Sequence, residues 1–482
     1  MAELKTQINW YEEVLQRKEQ MLEELKSLLS IESVLDEQTA GEGAPFGQKV
    51  AEALQFMVDL GNKDGFQTKN VDGYAVHIEH GEGEELIGVL SHVDVVPAGD
   101  GWTSPAFAPE IRDGKLYARG AIDDKGPTMA AYYALKIVKE LGLPLSKRVR
   151  LILGGDEESL WRCMSYYFER EEMPQMGFTP DADFPIINAE KGLLDIQASG
   201  SADVINEAQE EEGAEFTKWT LMSFEAGQRV NMVPDQAVAI LSGEGDVFEL
   251  KEKVQDFLIT YQIQGYAEEA NDYVKLVFKG RSHHGSEPEK GLNAALELAR
   301  FLQRVPLDQE GSSYIYMITD LLMDSFFGEK LDIEQQDEVV GRLTVNAGVF
   351  KYVKDEQRMV RLNVRYPISG DSEVILKTIE HKLAPYGLVL GDIDHKPAHF
   401  CDSDHPLVST LARVYEEQTG EKAQLLAIGG GTYARALDRG VAFGPLFPGK
   451  EETAHQKDEY IEVEDLLKAT AIYAQAIYEL AK

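Results

Sequence analysis

The stretch that most constrains the fold is Leu86-Ile87-Gly88-Val89-Leu90, followed at once by Ser91-His92-Val93-Asp94. A short apolar run bounded by Gly and Glu, too short for a helix, reads as a strand buried on both faces, the kind found in parallel sheets covered by helices. It predicts an α/β domain with Ser91–Asp94 at the carboxyl edge of its sheet, where such sheets place their ligand sites. Side chains on a strand repeat every second residue, so His92 and Asp94 are expected on one face. An imidazole that binds metal through one nitrogen needs an acceptor for the other, and Asp94 is well placed to supply it. Alone, a His-x-Asp is more often a pair of solvated loop residues. The rest of the chain reverses that reading.

Residues 8–30 carry Ile8, Tyr11, Val14, Leu15, Met21, Leu22, Leu25, Leu28 and Leu29 at three-to-four spacing, predicting an amphipathic helix or helix pair over a sheet. A helix over 46–60 and strands over 66–70 and 74–79 lead to the strand before His92. A Gly/Pro-punctuated loop over 98–122 then reaches Asp123-Asp124-Lys125-Gly126. These acids stand at the start of a helix ending near Gly142, where carboxylates are favoured, and Asp124 is expected to cap it. The next strand, 149–153, ends in Gly154-Gly155-Asp156-Glu157-Glu158-Ser159, and Thr179-Pro180-Asp181-Ala182-Asp183 follows. Successive acids at a strand's end repel one another unless a cation is present. Strand, acid-bearing loop and helix thus alternate in the doubly wound manner.

From residue 190 the rhythm changes. Strands within 217–242, a helix over 247–261, a strand over 273–279 and a helix over 292–305 form a β-β-α-β-α unit. A similar order recurs with strands in 342–366, a helix over 372–386 and a strand over 388–394. The expected organisation is one α/β domain made of 1–189 and 396–482, with 190–395 inserted as an α+β domain. The chain returns with a helix over 405–420, the loop Ile428-Gly429-Gly430-Gly431-Thr432 and a last helix over 463–480. That glycine loop lacks the Lys-Ser/Thr of a phosphate-binding loop. It reads as backbone close to a substrate, with Arg435 nearby.

Acids outnumber bases 84 to 47, for a net charge of −37. Nucleic acid and anionic membrane are thereby excluded as partners, since both would repel the chain. No stretch approaches the length of a membrane span, and the first thirty residues lack an apolar core of signal-peptide length. Cys163 and Cys401 are the only cysteines, which suggests packing thiols in a reducing, cytoplasmic setting.

Taken in order, His92-x-Asp94, Arg119-Gly-x-x-Asp123-Asp124-Lys125-Gly126, Asp156-Glu157-Glu158-Ser159, Pro180-Asp181-Ala182 and Ala454-His455-Gln456 resemble the M20-type aminoacylase/carboxypeptidase family of co-catalytic zinc metallopeptidases. Asn188-x-Glu190-Lys191-Gly192, Asn363-Val364-Arg365-Tyr366-Pro367 and Gly429-Gly430-Gly431-Thr432-Tyr433 look closest to its bacterial dipeptidase V branch. The resemblance spans nearly the whole chain. It implies a catalytic domain with a mixed sheet and helices on both faces, and an inserted lid with two ferredoxin-like halves.

By this resemblance two zinc ions, replaceable by manganese or cobalt, are held by His92, Asp123, Glu158, Asp181 and His455. Asp123 would bridge, His92 and Asp181 would complete one site, and Glu158 and His455 the other. Two divalent ions against three carboxylates also leave room for a bridging hydroxide. Glu157 would be the general base and Asp94 the partner of His92. Asp156 would be a loop acid without a catalytic part, and the peptide after Asp123 would be cis. Asn231, His284 (with His283 its runner-up), Arg365, Gly431 and Arg435 would contact the substrate. The implied activity is hydrolysis of a dipeptide, a small-molecule substrate, by a monomer. The rivals are an N-acyl-amino-acid deacylase of the same family and a non-catalytic metal-binding module.

Overall fold

The computed structural model describes residues 8–200, 218–270 and 272–482. Residues 1–7 of the expected N-terminal segment, and residue 217 at the head of the insertion's first strand, lie outside them. The chain divides into two compact units: Met1–Ala189, Phe400–Ala427 and Gly431–Lys482, and separately Glu190–His399 with Ile428–Gly430. The insertion therefore closes at His399 rather than 395, because the strand Val389–Lys396 stays paired to Gly192–Gly200 as far as Lys396. It also takes in Ile428–Gly430, since the Ile428 carbonyl accepts the Lys191 N–H and that of Gly429 accepts from Arg365.

In the first unit, Leu86–His92 is buried at every position. It lies between two parallel neighbours, Arg148–Gly154 and Met176–Thr179. Beyond these, Gly440–Ala442 runs parallel to Met176–Thr179. Ala75–His80 and Gln67–Val71 continue the other edge antiparallel. The sheet is mixed, and helices cover both faces. A side chain at Gly61, in helix Gln48–Lys63, would touch Ile78, whereas the adjacent His77 points the other way and meets Tyr167 of helix Arg162–Phe168 at 2.8 Å.

Helix Lys125–Glu140 is packed by Val463–Ala481 and Lys18–Leu29. It buries Met129, Leu135, Ile137 and Val138 completely, and each such side chain stabilises the fold by about 1.5–3 kcal/mol. The turn carrying Asp123 and Asp124 is thereby anchored to the core. Within the loop expected over 98–122, Glu110–Arg112 pairs with Lys115–Tyr117, which in turn pairs with Tyr460–Glu462.

Among the described residues, the second unit is built on an eight-stranded antiparallel sheet. One half has the hairpin Trp219–Ala226/Gln236–Gly243, helix Val247–Tyr261 and strands Gln264–Ala270 and Tyr273–Lys279. The other repeats hairpin, helix and edge strand as Thr344–Val353/Gln357–Tyr366, Ser372–Leu383 and Val389–Lys396. Its remaining strand, Gly192–Gly200, comes from the chain's entry into the unit. The strand 264–270 and helix Gln309–Leu321 had no counterpart in the expected order. The helix begins Gln-Glu-Gly-Ser-Ser, which reads as loop, but the Asp308 side chain caps it. Among the described residues no helix is long and apolar enough to cross a membrane.

Candidate metal centre

The three parallel strands deliver their carboxyl ends to one place. His92 closes Leu86–His92 and lies in register with Gly154, the last residue of its neighbour, so Glu157 and Glu158 emerge beside it. Asp181 follows Met176–Thr179 on the other side. Asp123 ends the turn before helix Lys125–Glu140, and His455 comes from the turn before Tyr460–Glu462.

Asp123 divides its oxygens. Oδ1 lies 3.1 Å from His92 Nε2, and Oδ2 lies 2.9 Å from His455 Nε2. Asp181 Oδ2 is 3.7 Å from His92 Nε2, and Glu158 Oε2 is 3.0 Å from His455 Nε2. Two groups result, His92/Asp123/Asp181 and Asp123/Glu158/His455, each with its donor atoms within 4.8 Å of one another. Two donors on a single zinc at 2.0–2.2 Å and tetrahedral angles stand roughly 3.3–3.6 Å apart. The observed separations bracket that value. His92 Nε2 is buried without a hydrogen-bond partner, an orphaned nitrogen that a bound cation would satisfy. His455 is held at φ 61°, a left-handed conformation that side chains other than Gly rarely adopt and that clusters at functional sites.

The electrostatics agree. Burial raises the Asp181 carboxyl well above its ordinary value, with Asp124 adding to the rise, and burial with Asp123 raises Glu158. Burial, then Glu158, Asp123 and Asp94, pushes Glu157 up to about 8. Burial works to lower the two imidazoles, yet Asp123 and Asp94 lift His92 well above its ordinary range. Asp123 and Glu158 lift His455 to about 11. Acids that resist charge beside imidazoles that retain protons mark a place short of positive charge. Divalent cations fit this donor set, with oxygens and imidazole nitrogens and no thiolate.

The supporting residues differ from expectation in two respects. Asp94 lies just beyond the strand. The nearest acceptor for His92 Nδ1 is its main-chain carbonyl at 3.0 Å, with its carboxylate Oδ1 at 3.5 Å, while Oδ2 accepts the Glu158 N–H at 3.0 Å. Asp124 occupies the N-cap position just before its helix, but its side chain makes no cap. Its Oδ2 accepts instead from Ser91 Oγ and from the His92 N–H at 3.2 Å, which fixes the backbone under that imidazole. Asp156 accepts from the Arg162 N–H, Nε and Nη2 and from Ser159, and so shapes the turn that presents Glu157 and Glu158. The Asp123–Asp124 peptide is cis. A side chain at Gly126 would come within 2.0 Å of the Ala121 carbonyl, so only Gly lets the helix begin this close to the turn.

Gly431 and Arg435 meet in the first unit, where a side chain at Gly431 would lie 2.8 Å from the Arg435 guanidinium. In the second unit Asn231, His284 and Arg365 come together. The Gly285 N–H donates to the Asn231 carbonyl at 2.7 Å, and Arg365 Nη2 lies 3.5 Å from His284 Nε2. His284 Nδ1 pairs with Ser286 Oγ at 2.7 Å. Of the two adjacent histidines, His284 is the one that faces Arg365. Arg365 is buried, with Nε on Asn363 Oδ1 at 2.8 Å and Nη1 on the Gly429 carbonyl.

Two residues with no assigned part also support the centre. Glu459 accepts the N–H groups of Ile122 and Asp123, and Tyr433 sets its ring edge-on to His92 at 6.1 Å. Tyr433 stood within a quoted motif, but Glu459 carried no local signal. Both cysteines are free and buried, and Cys163 Sγ is 2.9 Å from Tyr433 Oη.

Comparison with known proteins places this arrangement. Residues 88–479 match the family described as peptidase family M20/M25/M40. The chain is 52% identical over 475 residues to the Bacillus subtilis (strain 168) protein named "Putative dipeptidase YtjP", covering 98% of this chain and 100% of that one. Among solved structures, aminopeptidase PepT from Bacillus cereus aligns with a TM-score of 0.56 at 17% identity, covering 96% of this chain and 99% of that one. The dipeptidase Dug1p from Saccharomyces cerevisiae aligns with a TM-score of 0.56 at 13% identity, covering 98% of each chain. At such identities the two structures establish the shared fold.

Proposed function

Because this chain belongs to peptidase family M20/M25/M40, whose members are metal-dependent, we propose that it hydrolyses the peptide bond of dipeptides with two divalent cations, zinc in the first instance. The observation that carries this reading is the division of Asp123, one oxygen toward His92 and the other toward His455. His92 and Asp181 would hold one ion with Asp123, and Glu158 and His455 the other. When bound, the cations polarise the scissile carbonyl and acidify the attacking water.

The protein's own groups do the rest. Glu157 takes the proton from the attacking water and returns it to the leaving amine. Its carboxyl lies high, at about 8, through burial among other acids, and positive charge in the centre lowers it toward the ionised form a base requires. His92 is kept in the neutral tautomer that leaves Nε2 unprotonated because its Nδ1–H donates a hydrogen bond to the Asp94 carbonyl. By the family resemblance, His284 would be the hydrogen-bond donor to the oxygen that gains charge during attack. Arg365, with Asn231, binds the substrate carboxylate. Gly431 and Arg435 line the approach. A dipeptide zwitterion also suits the excess of acids, which receives its ammonium end.

The test is turnover and metal content across dipeptides, tripeptides and N-acetyl amino acids. Dipeptides should be cleaved far faster than the rest by protein holding two equivalents of metal. Efficient cleavage of tripeptides, or a preference for N-acetyl amino acids, would replace this reading with a broader peptidase or a deacylase.

A further inference from the structure

The structure assigns Glu459 a positioning role: with Arg119 it forms a buried clasp that holds the loops carrying Asp123, His455 and His92 at the spacing two cations require. The assignment rests on the two-metal reading above. Glu459 is completely buried, and Arg119 is 1% exposed. One carboxylate oxygen, Oε1, accepts both the Ile122 N–H at 3.0 Å and the Asp123 N–H at 3.2 Å. The other, Oε2, is paired with Arg119 Nη1. The main chain adds a further tie, the Ala118 N–H donating to the Glu459 carbonyl at 3.1 Å.

Each end of the clasp leads to a different metal donor. Glu459 lies four residues after His455, so its grip on the Asp123 backbone joins the turn of one donor to the turn of another. Arg119 lies four residues before Asp123. Its Nη2 is 3.5 Å from the carbonyls of Pro97 and Ala98, on the segment that runs on from His92 and Asp94. Two side chains thus fasten three donor-bearing segments that are remote in sequence.

A buried ion pair is weak evidence for stability, since desolvation offsets much of the attraction. An apolar pair would fill this space at least as well. What an apolar pair cannot do is accept the two N–H groups that orient the Asp123 carboxylate. The clasp is therefore explained by geometry at the centre rather than by the stability of the core.

Cobalt(II) tests the assignment, because its visible absorption reports coordination geometry independently of turnover. Wild-type protein stripped of metal is first titrated with Co²⁺. Failure to bind two equivalents there would overturn the two-metal reading itself, whatever the variants do. Given two equivalents in wild type, Glu459→Gln should bind Co²⁺ roughly 10–100-fold more weakly, the range expected when a donor loses its support, with a changed visible spectrum. The double variant Arg119→Met/Glu459→Leu leaves no uncompensated buried charge, and it should fold yet show the same loss. It decides the matter if the single variant does not fold. Affinity and spectrum like wild type in a folded variant, even with a lowered melting temperature, would make the pair merely structural and overturn the assignment.

Discussion

Replacing Asp123 with Ala should weaken the binding of both cations, each on the order of 100-fold, whereas replacing Asp94 should weaken both less. Asp123 turns Oδ1 to His92 at 3.1 Å and Oδ2 to His455 at 2.9 Å, so Ala removes one donor from each group. Complete four-donor zinc sites bind with about 10–16 kcal/mol near neutral pH, or roughly 3 kcal/mol per donor, so each ion should lose on the order of 100-fold in affinity. Asp94 acts differently. Its main-chain carbonyl, at 3.0 Å the nearer acceptor for His92 Nδ1, survives in Asp94→Ala. What disappears is the carboxylate at 3.5 Å from His92 and the acceptor of the Glu158 N–H at 3.0 Å. Since His92 and Glu158 belong to different candidate donor groups, the loss should be shared between them and lie near the lower end of about 10–100-fold. Dialysis against zinc buffered at a series of free concentrations, followed by elemental analysis, measures both occupancies. An Asp123→Ala protein that loses one ion and keeps the other at wild-type affinity would refute the bridge. Equal losses from the two substitutions would refute the ranking of direct donor over support.

Glu157→Gln should retain both metals and dipeptide binding while kcat falls roughly 10²–10⁴-fold; near-wild-type turnover in single-turnover kinetics would mean that another group takes the proton. Arg365→Lys should raise KM for dipeptides, because one ammonium cannot span Asn363 Oδ1 and the Gly429 carbonyl as the guanidinium does, whereas His284→Ala should chiefly lower kcat. Steady-state kinetics with the opposite split would exchange their roles. Burial, then Arg150 and Lys69, lowers the His77 pKa to about 3. The unfolded chain takes up a proton near pH 6.5 that the folded chain refuses, so stability is lost as pH falls below about 6.5, by about 2 kcal/mol at pH 5. Urea unfolding of metal-free protein at pH 7 and pH 5 should show that His77→Gln loses less than wild type over this interval; identical losses would exclude His77 as the source.

What could be read in the sequence was whatever a short segment determines alone. The apolar run before His92 specified a buried strand and put the imidazole at its end, and the acids after 149–153 and around Asp181 declared themselves by crowding. Glu459 could not declare itself: it acts on Asp123 across 336 positions, and an isolated Glu before Tyr-Ile-Glu resembles any surface acid. The pairing of Lys115–Tyr117 with Tyr460–Glu462 brings it there, and a three-residue ladder of that kind has no periodicity to detect. Asp94 and Asp124 were legible as residues but not as geometry. Each was assigned by its place beside a regular element, but Asp94 lies just past its strand, and Asp124 turns its side chain away from its own helix to Ser91 and His92.

The same division explains why the centre can hold its charges. Leu86–His92, Arg148–Gly154 and Met176–Thr179 are locked side by side in parallel register, and the first is buried throughout. Glu157, Glu158 and Asp181 lie in the short segments just beyond these strand ends, so the fixed register holds the roots of those segments close together. A one-residue slip would turn every buried side chain of a strand to the opposite face. Charge at the centre can thus be balanced only by protons or by cations. The raised carboxyls of Asp181, Glu158 and Glu157 and the raised imidazoles of His92 and His455 are the proton answer. Divalent cations would compete for the same oxygens and nitrogens, so the rigidity of the apolar sheet is what suits this collection of acids to metal under the proposed reading.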